Sequence, residues 1–182
     1  MRAPLDSPAP QVAALEGVEG RLVVVTGARG AGKTTWCEAL VREARTLGLH
    51  TAGLLSPHVV EDGIRVAIDL VDVVTGERRR LATRPDPRFP PPDARRGARW
   101  VLDHDTLAWG NAILGRVNRA DLLVLDEIGA LELRHGTGLV AGLRLLRDRR
   151  YGTACAVVRP DLVEEARRRW PWAQTLRVGD AE

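Results

Sequence analysis

Short apolar runs alternate along this chain with stretches in which apolar residues recur every three or four positions. The run RLVVVTG, which starts at Arg21, is typical of a fully buried parallel strand. The residues after it recur at helical spacing: Cys37, Leu40, Val41, Ala44 and Leu47. Gly48 then predicts the end of this helix. The first two elements are therefore a strand and a helix, joined by a loop.

The same order of elements repeats downstream. HTAGLLSP, DLLVLDEIG, TACAVV and AQTLRV predict further strands, while GLVAGLRLLRDRR and DLVEEARRRW predict helices, the latter begun after Pro160. Another helix is predicted from Asp105, as its N-cap, to about Asn118. Strands that alternate with helices predict an α/β fold with a mostly parallel sheet covered on both faces.

A β-hairpin is predicted between the second strand and the second helix. Apolar residues alternate with other residues from Ile64 to Val71, TGE supplies a turn, and RRRLATR forms the returning strand. Between Arg84 and Arg99 the clustered prolines exclude a helix interior or a central strand, so a surface loop is expected. We expect residues 1–20 to form a flexible leader and residues 21–182 to form a single domain.

Composition limits the classes of function. With 45% hydrophobic and 28% charged residues and no long apolar span, we expect a soluble, cytoplasmic, monomeric protein. The formal net charge of +3, with one Phe and one Tyr, gives little support for a nucleic-acid partner. Cys37 and Cys155 are expected to be buried thiols, and the four histidines have no metal-site spacing.

The segment after the first strand matches the phosphate-binding loop pattern Gly-x-x-x-x-Gly-Lys-Thr in full. Its glycines let backbone amides approach phosphate oxygens, and the following helix directs its positive end at the same anion. The predicted nucleotide-binding residues are Gly27, Ala28, Arg29, Gly30, Ala31, Gly32, Lys33, Thr34 and Thr35.

Lys33 is the only lysine among 27 basic residues, which indicates a task that arginine does not perform. As a mobile point charge it can follow the β- and γ-phosphates, and the Thr34 hydroxyl can bind Mg²⁺. Thr35 is expected either to pack in the helix or to support the α-phosphate.

Two acids end the predicted strand DLLVLDEIG, at the edge where parallel sheets place their ligands. Asp126 is predicted to hold Mg²⁺ through water. Glu127 is predicted to accept a proton from an attacking water molecule. Lys33 and Glu127 are therefore the predicted catalytic residues, and Thr34 and Asp126 the predicted metal ligands.

These motifs resemble a known family, the small P-loop nucleoside-triphosphatases first described in thermophiles, which includes a vertebrate cancer-related member. The similarity rests on GARGAGKTTW, on the strand and hairpin TAGLLSPHVVEDGIRVAIDLVDVVTGERRRLATR, on ADLLVLDEIGALEL and on VVRPDLVEEARRRW. It implies a P-loop three-layer sandwich and Mg²⁺-dependent hydrolysis of ATP, GTP and other nucleoside triphosphates to diphosphates. Leu131 replaces a usual methionine, and the segment after the hairpin is unusually rich in proline and arginine.

Two other functions remain open from the residues alone. A P-loop kinase could pass the γ-phosphate to a small acceptor and use the Arg/Pro-rich loop as a lid, and a nucleotide-dependent switch module could act on RNA. Glu127 beside Asp126 favours water as the nucleophile. Arg159 could reach the nucleotide or meet the following helix, and Trp100 and Trp109 could stack on a base or pack a helix. The arginines that could supply positive charge to phosphate are Arg78, Arg79, Arg80, Arg84, Arg88, Arg95, Arg96 and Arg99.

Overall fold

The computed structural model describes residues 19–85 and 100–179. Its strands are β1 (Arg21–Thr26), β2 (Thr51–Leu55), β3 (His58–Glu61), β4 (Ile64–Asp72), β5 (Arg78–Thr83), β6 (Val101–Leu102), β7 (Ala120–Ile128), β8 (Tyr151–Val158) and β9 (Gln174–Arg177). Its helices are α1 (Lys33–Thr46), α2 (His104–Gly115), α3 (Ala130–His135), α4 (Val140–Asp148) and α5 (Val163–Arg169), the last preceded by a 3₁₀ turn (Pro160–Leu162). Nearly all of the predicted leader, and most of the proline-rich segment, lie outside the described residues.

One mixed sheet connects all of these strands. Its order is β6-β5-β4-β2-β7-β8-β1-β9, with β3 paired to β4. The five strands from β2 to β9 in this order are mutually parallel, and β4 continues the sheet antiparallel to β2. The carboxyl ends of the parallel strands therefore share one edge, and β8 separates β1 from β7.

Two apolar cores lie on opposite faces of the sheet, because successive side chains of a strand point to opposite sides. In β1, Leu22 and Val24 belong to one core, whereas Val23 and Val25 belong to the other. Helix α1 covers the second core, which includes the thiols of Cys37 and Cys155. Helices α2, α4 and α5 cover the first. The α/β three-layer architecture is confirmed.

The predicted hairpin is present as β4 and β5, and it is part of a larger antiparallel extension. Strand β3 pairs with β4 through a turn at Asp62 and Gly63, and β6 pairs with β5. Both residues of that turn have positive φ, 48° and 75°, which an Asp-Gly pair tolerates. The extension brings Arg65 of β4 close to Gly30 of the glycine-rich loop.

The predicted start of the second helix is wrong by two residues. Asp103, not Asp105, is the N-cap: its backbone is extended, and its carboxylate accepts a 2.6 Å hydrogen bond from the backbone N–H of Thr106. Asp105 lies in the first turn, and the helix ends at Gly115 rather than near Asn118. Within the described ranges, none of the helices is both long and apolar enough to cross a membrane.

Candidate active site

The glycine-rich loop runs from the end of β1 to the start of α1, as predicted. Gly30 and Gly32 both have left-handed φ angles, of 87° and 85°. Gly27 has no room for a side chain, because a Cβ there would lie 2.2 Å from the carbonyl oxygen of Val178. Gly32 caps α1 without any side-chain hydrogen bond to the helix. The first N–H groups of α1 thus lack a side-chain acceptor, which favours an anion at this end of the helix.

Lys33, the first residue of α1, reaches back over this loop. Its Nζ donates hydrogen bonds to the carbonyl oxygens of Gly27, at 2.8 Å, and Ala28, at 2.9 Å. Partial burial lowers the pKa of Lys33, while the carboxylate of Asp126 acts in the opposite direction. The ammonium group is therefore held inside the loop and close to the acids that end β7.

Asp126 connects three elements at the carboxyl edge of the sheet. Its Oδ2 accepts a 3.0 Å hydrogen bond from the backbone N–H of Ser56, which follows β2. The Thr34 hydroxyl, in the first turn of α1, donates another hydrogen bond to it. Burial raises the pKa of Asp126 to about 6 even though these two hydrogen bonds lower it. Burial of the carboxyl therefore outweighs these hydrogen bonds and the nearby positive charge of Lys33.

The residues around Asp126 fit a magnesium ion. The Thr34 hydroxyl and the Asp126 carboxylate are adjacent oxygen donors, the type of ligand that Mg²⁺ prefers. No group of three or more His, Cys, Asp or Glu side chains within the described part of the chain could hold a metal alone. A site with few protein ligands suits Mg²⁺, which keeps several waters and commonly takes its remaining ligands from substrate phosphates.

Glu127 is exposed although Asp126, immediately before it, is buried. The register between β7 and β8 shifts between Leu125 and Ile128, and Glu127 has a φ of 152°. This irregularity turns the side chain out of the sheet towards solvent. Desolvation by the surrounding protein raises the pKa of Glu127 to about 7, and the negative charges of Asp126 and Glu132 add to this rise.

Glu132 fixes the turn that follows Glu127. This buried side chain accepts hydrogen bonds of 2.8 Å from the backbone N–H groups of Gly129 and Leu139. A Cβ on Gly138 would lie 2.0 Å from the Glu132 carboxylate, so the space there is tightly filled. This role was not predicted, because the pairing joins the starts of two helices that sequence patterns treat separately.

Of the eight arginines that could supply charge to phosphate, four lie within the described residues, and three of these contact other side chains. Arg78 and Arg80 form ion pairs with the buried carboxylate of Asp69. Arg79 binds Glu77 and places its guanidinium 4.7 Å from the centre of the Trp109 ring. Arg84 is exposed. The remaining four, from Arg88 to Arg99, lie outside the described residues.

Four further positions bear on the alternatives left open by the sequence. Thr35 is exposed on the first turn of α1. Trp100 and Trp109 are half-buried and pack against the larger core, and Trp100 also meets the ring of His58 edge-on at 6.2 Å. Arg159 follows β8, pairs weakly with Asp161 at 3.7 Å, and lowers the pKa of Glu127. Arg159 therefore lies within electrostatic reach of the acids.

Arg65 was missed by the sequence reasoning. It lies on β4, and its Nη2 would be 3.5 Å from a Cβ built on Gly30. In the sequence, Arg65 occupies the polar phase of an alternating strand, which predicts only a solvent-facing side chain. The contact arises because the β3–β4 extension folds back over the loop, and no local pattern encodes that.

The glycine loop between the first strand and first helix, together with the acids at the end of a parallel strand, defines a P-loop nucleotide-binding protein. The family model described as NTPase matches residues 22–146, more than half of the chain. The chain belongs to this NTPase family.

Curated relatives agree with this assignment. The nucleoside-triphosphatase THEP1 of Caldivirga maquilingensis is 30% identical over 129 residues, which cover 71% of this chain and 70% of that protein. The nucleoside-triphosphatase THEP1 of Saccharolobus solfataricus is 33% identical over 112 residues, 62% of each chain. The latter match, like that to the protein of the same name from Methanopyrus kandleri, spans less than two thirds of the relative.

Solved structures show the same fold. The solution structure of a human cancer-related nucleoside triphosphatase superposes with a TM-score of 0.65 and 25% identity, covering 88% of this chain and 89% of that one. The crystal structure of THEP1 from Aquifex aeolicus gives a TM-score of 0.63 at 21% identity, over 87% and 90% of the two chains. The second likeness concerns the fold alone.

Proposed function

We propose that this protein hydrolyses nucleoside 5′-triphosphates to nucleoside diphosphate and phosphate, with Mg²⁺ as cofactor and water as the acceptor. The observation that carries this proposal is the pair of acids that ends β7. Asp126 is buried against Thr34, while Glu127 is open to solvent and has a pKa of about 7. This arrangement supports a role for Asp126 in metal binding and for Glu127 in accepting a proton.

The loop and α1 supply the binding of the triphosphate. Backbone N–H groups of residues 27–32 and of the first turn of α1 hold the phosphate oxygens, assisted by the positive end of the helix. Lys33 exchanges its hydrogen bonds with the carbonyls of Gly27 and Ala28 for contacts with the β- and γ-phosphates. Thr35 contacts the α-phosphate.

Thr34 and Asp126 would hold the magnesium ion. When bound, this ion supplies positive charge that neutralises the phosphate oxygens. Below about pH 6, loss of a proton from Asp126 would accompany metal binding, because burial raises the pKa of this carboxyl to about 6.

Glu127 acts as the general base. It accepts a proton from a water molecule, whose oxygen forms a bond to the γ-phosphorus while the bond from phosphorus to the bridging oxygen breaks. The diphosphate leaves with the electron pair of the broken bond. A base with a pKa of about 7 is matched to neutral pH, since it is then substantially ionised and still basic enough to take the proton.

The function is tested by phosphate release from ATP, GTP, CTP and UTP with Mg²⁺ and no acceptor. We expect multiple turnovers with all four. A kinase would release little phosphate until its acceptor was added, and that outcome would replace the proposed hydrolysis with the alternative transferase.

Two variants separate the roles of the acids. Asp126→Asn should raise the Mg²⁺ concentration needed for activity, since a neutral amide binds the ion less well. Glu127→Gln should bind nucleotide nearly as well as the parent protein and slow the chemical step by about 10²-fold or more. Calorimetry gives the first quantity and single-turnover kinetics the second. Equal losses of nucleotide affinity in both variants would contradict this division.

A further inference from the structure

Arg65 brings a guanidinium group to the phosphate-binding loop from outside it. The side chain is half-buried, and Nη2 would lie 3.5 Å from a Cβ on Gly30, in ordinary van der Waals contact. Gly30 is inside the loop, three residues before Lys33. The β3–β4 extension therefore covers this part of the loop with a cation.

Positive charge accumulates at this point. Arg65, Arg29 and Lys33 all lie near His58, because their charges add to desolvation in lowering the pKa of that imidazole. Within the described ranges Arg65 forms no ion pair with a carboxylate, unlike the arginines of neighbouring β5 that pair with Asp69. Asp126 and Glu127 supply negative charge to Lys33, whereas no carboxylate of the described residues pairs with Arg65, so an anion bound at the loop would give this guanidinium a partner.

The position of Arg65 also indicates which phosphate it meets. One flank of the loop is closed by the chain after β9, since Cβ atoms on Gly27 and Gly179 would collide with Val178 and Ala31. The other flank faces the extension, which begins just after Ser56, the residue bound to Asp126. Arg65 therefore lies on the flank of the loop formed by the chain that follows Ser56, and not on the flank closed by the chain after β9.

We propose that Arg65 contacts the terminal phosphate of the bound triphosphate and stabilises the charge that develops there during transfer. This inference rests on the proposed function for the site. The planar fork of arginine can donate two parallel hydrogen bonds to phosphate oxygens, which a solvated lysine cannot do with the same geometry. The same chain supplies the cation, so no partner protein is needed.

The experiment compares Arg65→Ala and Arg65→Lys with the parent protein. Calorimetry measures the Kd of the non-hydrolysable triphosphate AMPPNP and of ADP, both with Mg²⁺, and phosphate release gives kcat. We expect Arg65→Ala to weaken AMPPNP about tenfold or more while ADP changes less than threefold, because only the triphosphate carries the contacted group. The kcat should fall by about 10²-fold or more, and Arg65→Lys should lie between.

Arg79→Ala is the matched control, since Arg79 lies on the adjoining strand β5 and is engaged by Glu77 and Trp109. It should keep both the affinity ratio and kcat. An unchanged AMPPNP-to-ADP ratio in Arg65→Ala, an equal loss for both nucleotides, or an unchanged kcat would overturn the inference. If the parent protein hydrolyses no triphosphate, the proposed function fails, and the affinity ratio alone decides the role of Arg65.

Discussion

The Lys33 ammonium donates two hydrogen bonds to carbonyl groups of its own loop, so this side chain holds the loop in shape before any phosphate arrives. The backbone of the loop and the charge that meets the ligand are therefore coupled through one residue. An arginine at this position would need space for a planar guanidinium inside a tight turn.

Lys33→Ala should abolish turnover, with a loss of at least about 10²-fold, and should weaken triphosphate binding. Lys33→Arg should recover little of either, because its larger head group does not fit between the carbonyls of Gly27 and Ala28. Phosphate release and calorimetry with AMPPNP measure the two effects. Hydrolysis by Lys33→Ala at the parental rate would place the active site elsewhere.

Glu127 carries a cost in stability, because its folded-state pKa of about 7 is above its unperturbed value of 4.5. At pH values below 4.5 the carboxyl is neutral in both states. As the pH rises from 4.5 to 7 the unfolded chain loses this proton first, so the free energy of unfolding falls. Above pH 7 the folded protein holds an ionised group that its surroundings disfavour.

Glu127→Gln should therefore stabilise the protein in alkaline buffer and not in acid. Discounting for solvent access, we expect a Tm increase of about 2–4 °C near pH 8.5 and almost none near pH 4.5, without nucleotide or Mg²⁺. Thermal melts at the two pH values measure it. Glu61→Gln, an exposed change on β3, should shift the Tm by the same small amount at both. A stabilisation that was larger in acid would reverse the sign of our argument.

At the scale of elements, the Glu132 carboxylate joins the start of α3 to the start of α4 and so supports the end of β7. Glu132→Ala would leave two N–H groups, those of Gly129 and Leu139, without acceptors. We expect the free energy of unfolding to fall by about 2–4 kcal/mol, with a lower kcat because the turn after Glu127 loosens.

Urea unfolding measures this loss, and Glu164→Ala, an exposed change on α5, is the control and should have little effect. Glu132→Gln should be intermediate, since its amide oxygen can still accept one of the two hydrogen bonds. Full stability in Glu132→Ala would show that the turn holds itself without the carboxylate.

The elements predicted well are those with a strong period and a clear stop. β1, α1 and β7 have long apolar patterns, and their bounds agree with the sequence within a few residues. β3 was missed because it has four residues, most of them exposed, and β6 because it has only two. The N-cap of α2 was misplaced because the segment Asp103-His104-Asp105 offers two equivalent candidates, and only the backbone conformation distinguishes them.

The residues of the candidate site also differ in whether a local sequence pattern predicts them. Lys33, Thr34, Asp126 and Glu127 were predicted because each lies in a local motif, and the structure brings them together. Ser56 and Arg65 were not recognised, since their placement depends on sheet order and on the fold of the β3–β4 extension. Local sequence specifies the ends of strands, whereas the sheet decides which ends meet.

At the scale of the whole molecule, the residues of the proposed site would contact the phosphates of a nucleotide and not its base. We therefore expect broad selectivity, with kcat/KM for ATP, GTP, CTP and UTP within about tenfold, or roughly 1.4 kcal/mol. No Asn/Thr-Lys-x-Asp guanine-reading motif is possible, because the only lysine is in the loop. Initial rates across a range of concentrations for each nucleotide test this. A thousandfold preference for one base would reveal a reading pocket, formed for example with Trp100.

Strand β8 determines how far apart β1 and β7 lie in the sheet. Val24 of β1 and Leu125 of β7 both pair with Ala156 of β8, so two strand spacings, about 10 Å, separate the backbones that lead to the loop and to Glu127. The proposed mechanism needs room for the γ-phosphoryl group and one water molecule between the loop and Glu127, and adjacent strands would separate the two backbones by only about 5 Å. Under the proposed mechanism, hydrogen bonding within the sheet would therefore fix the separation between the phosphate-binding loop and the acid that accepts the proton of the attacking water.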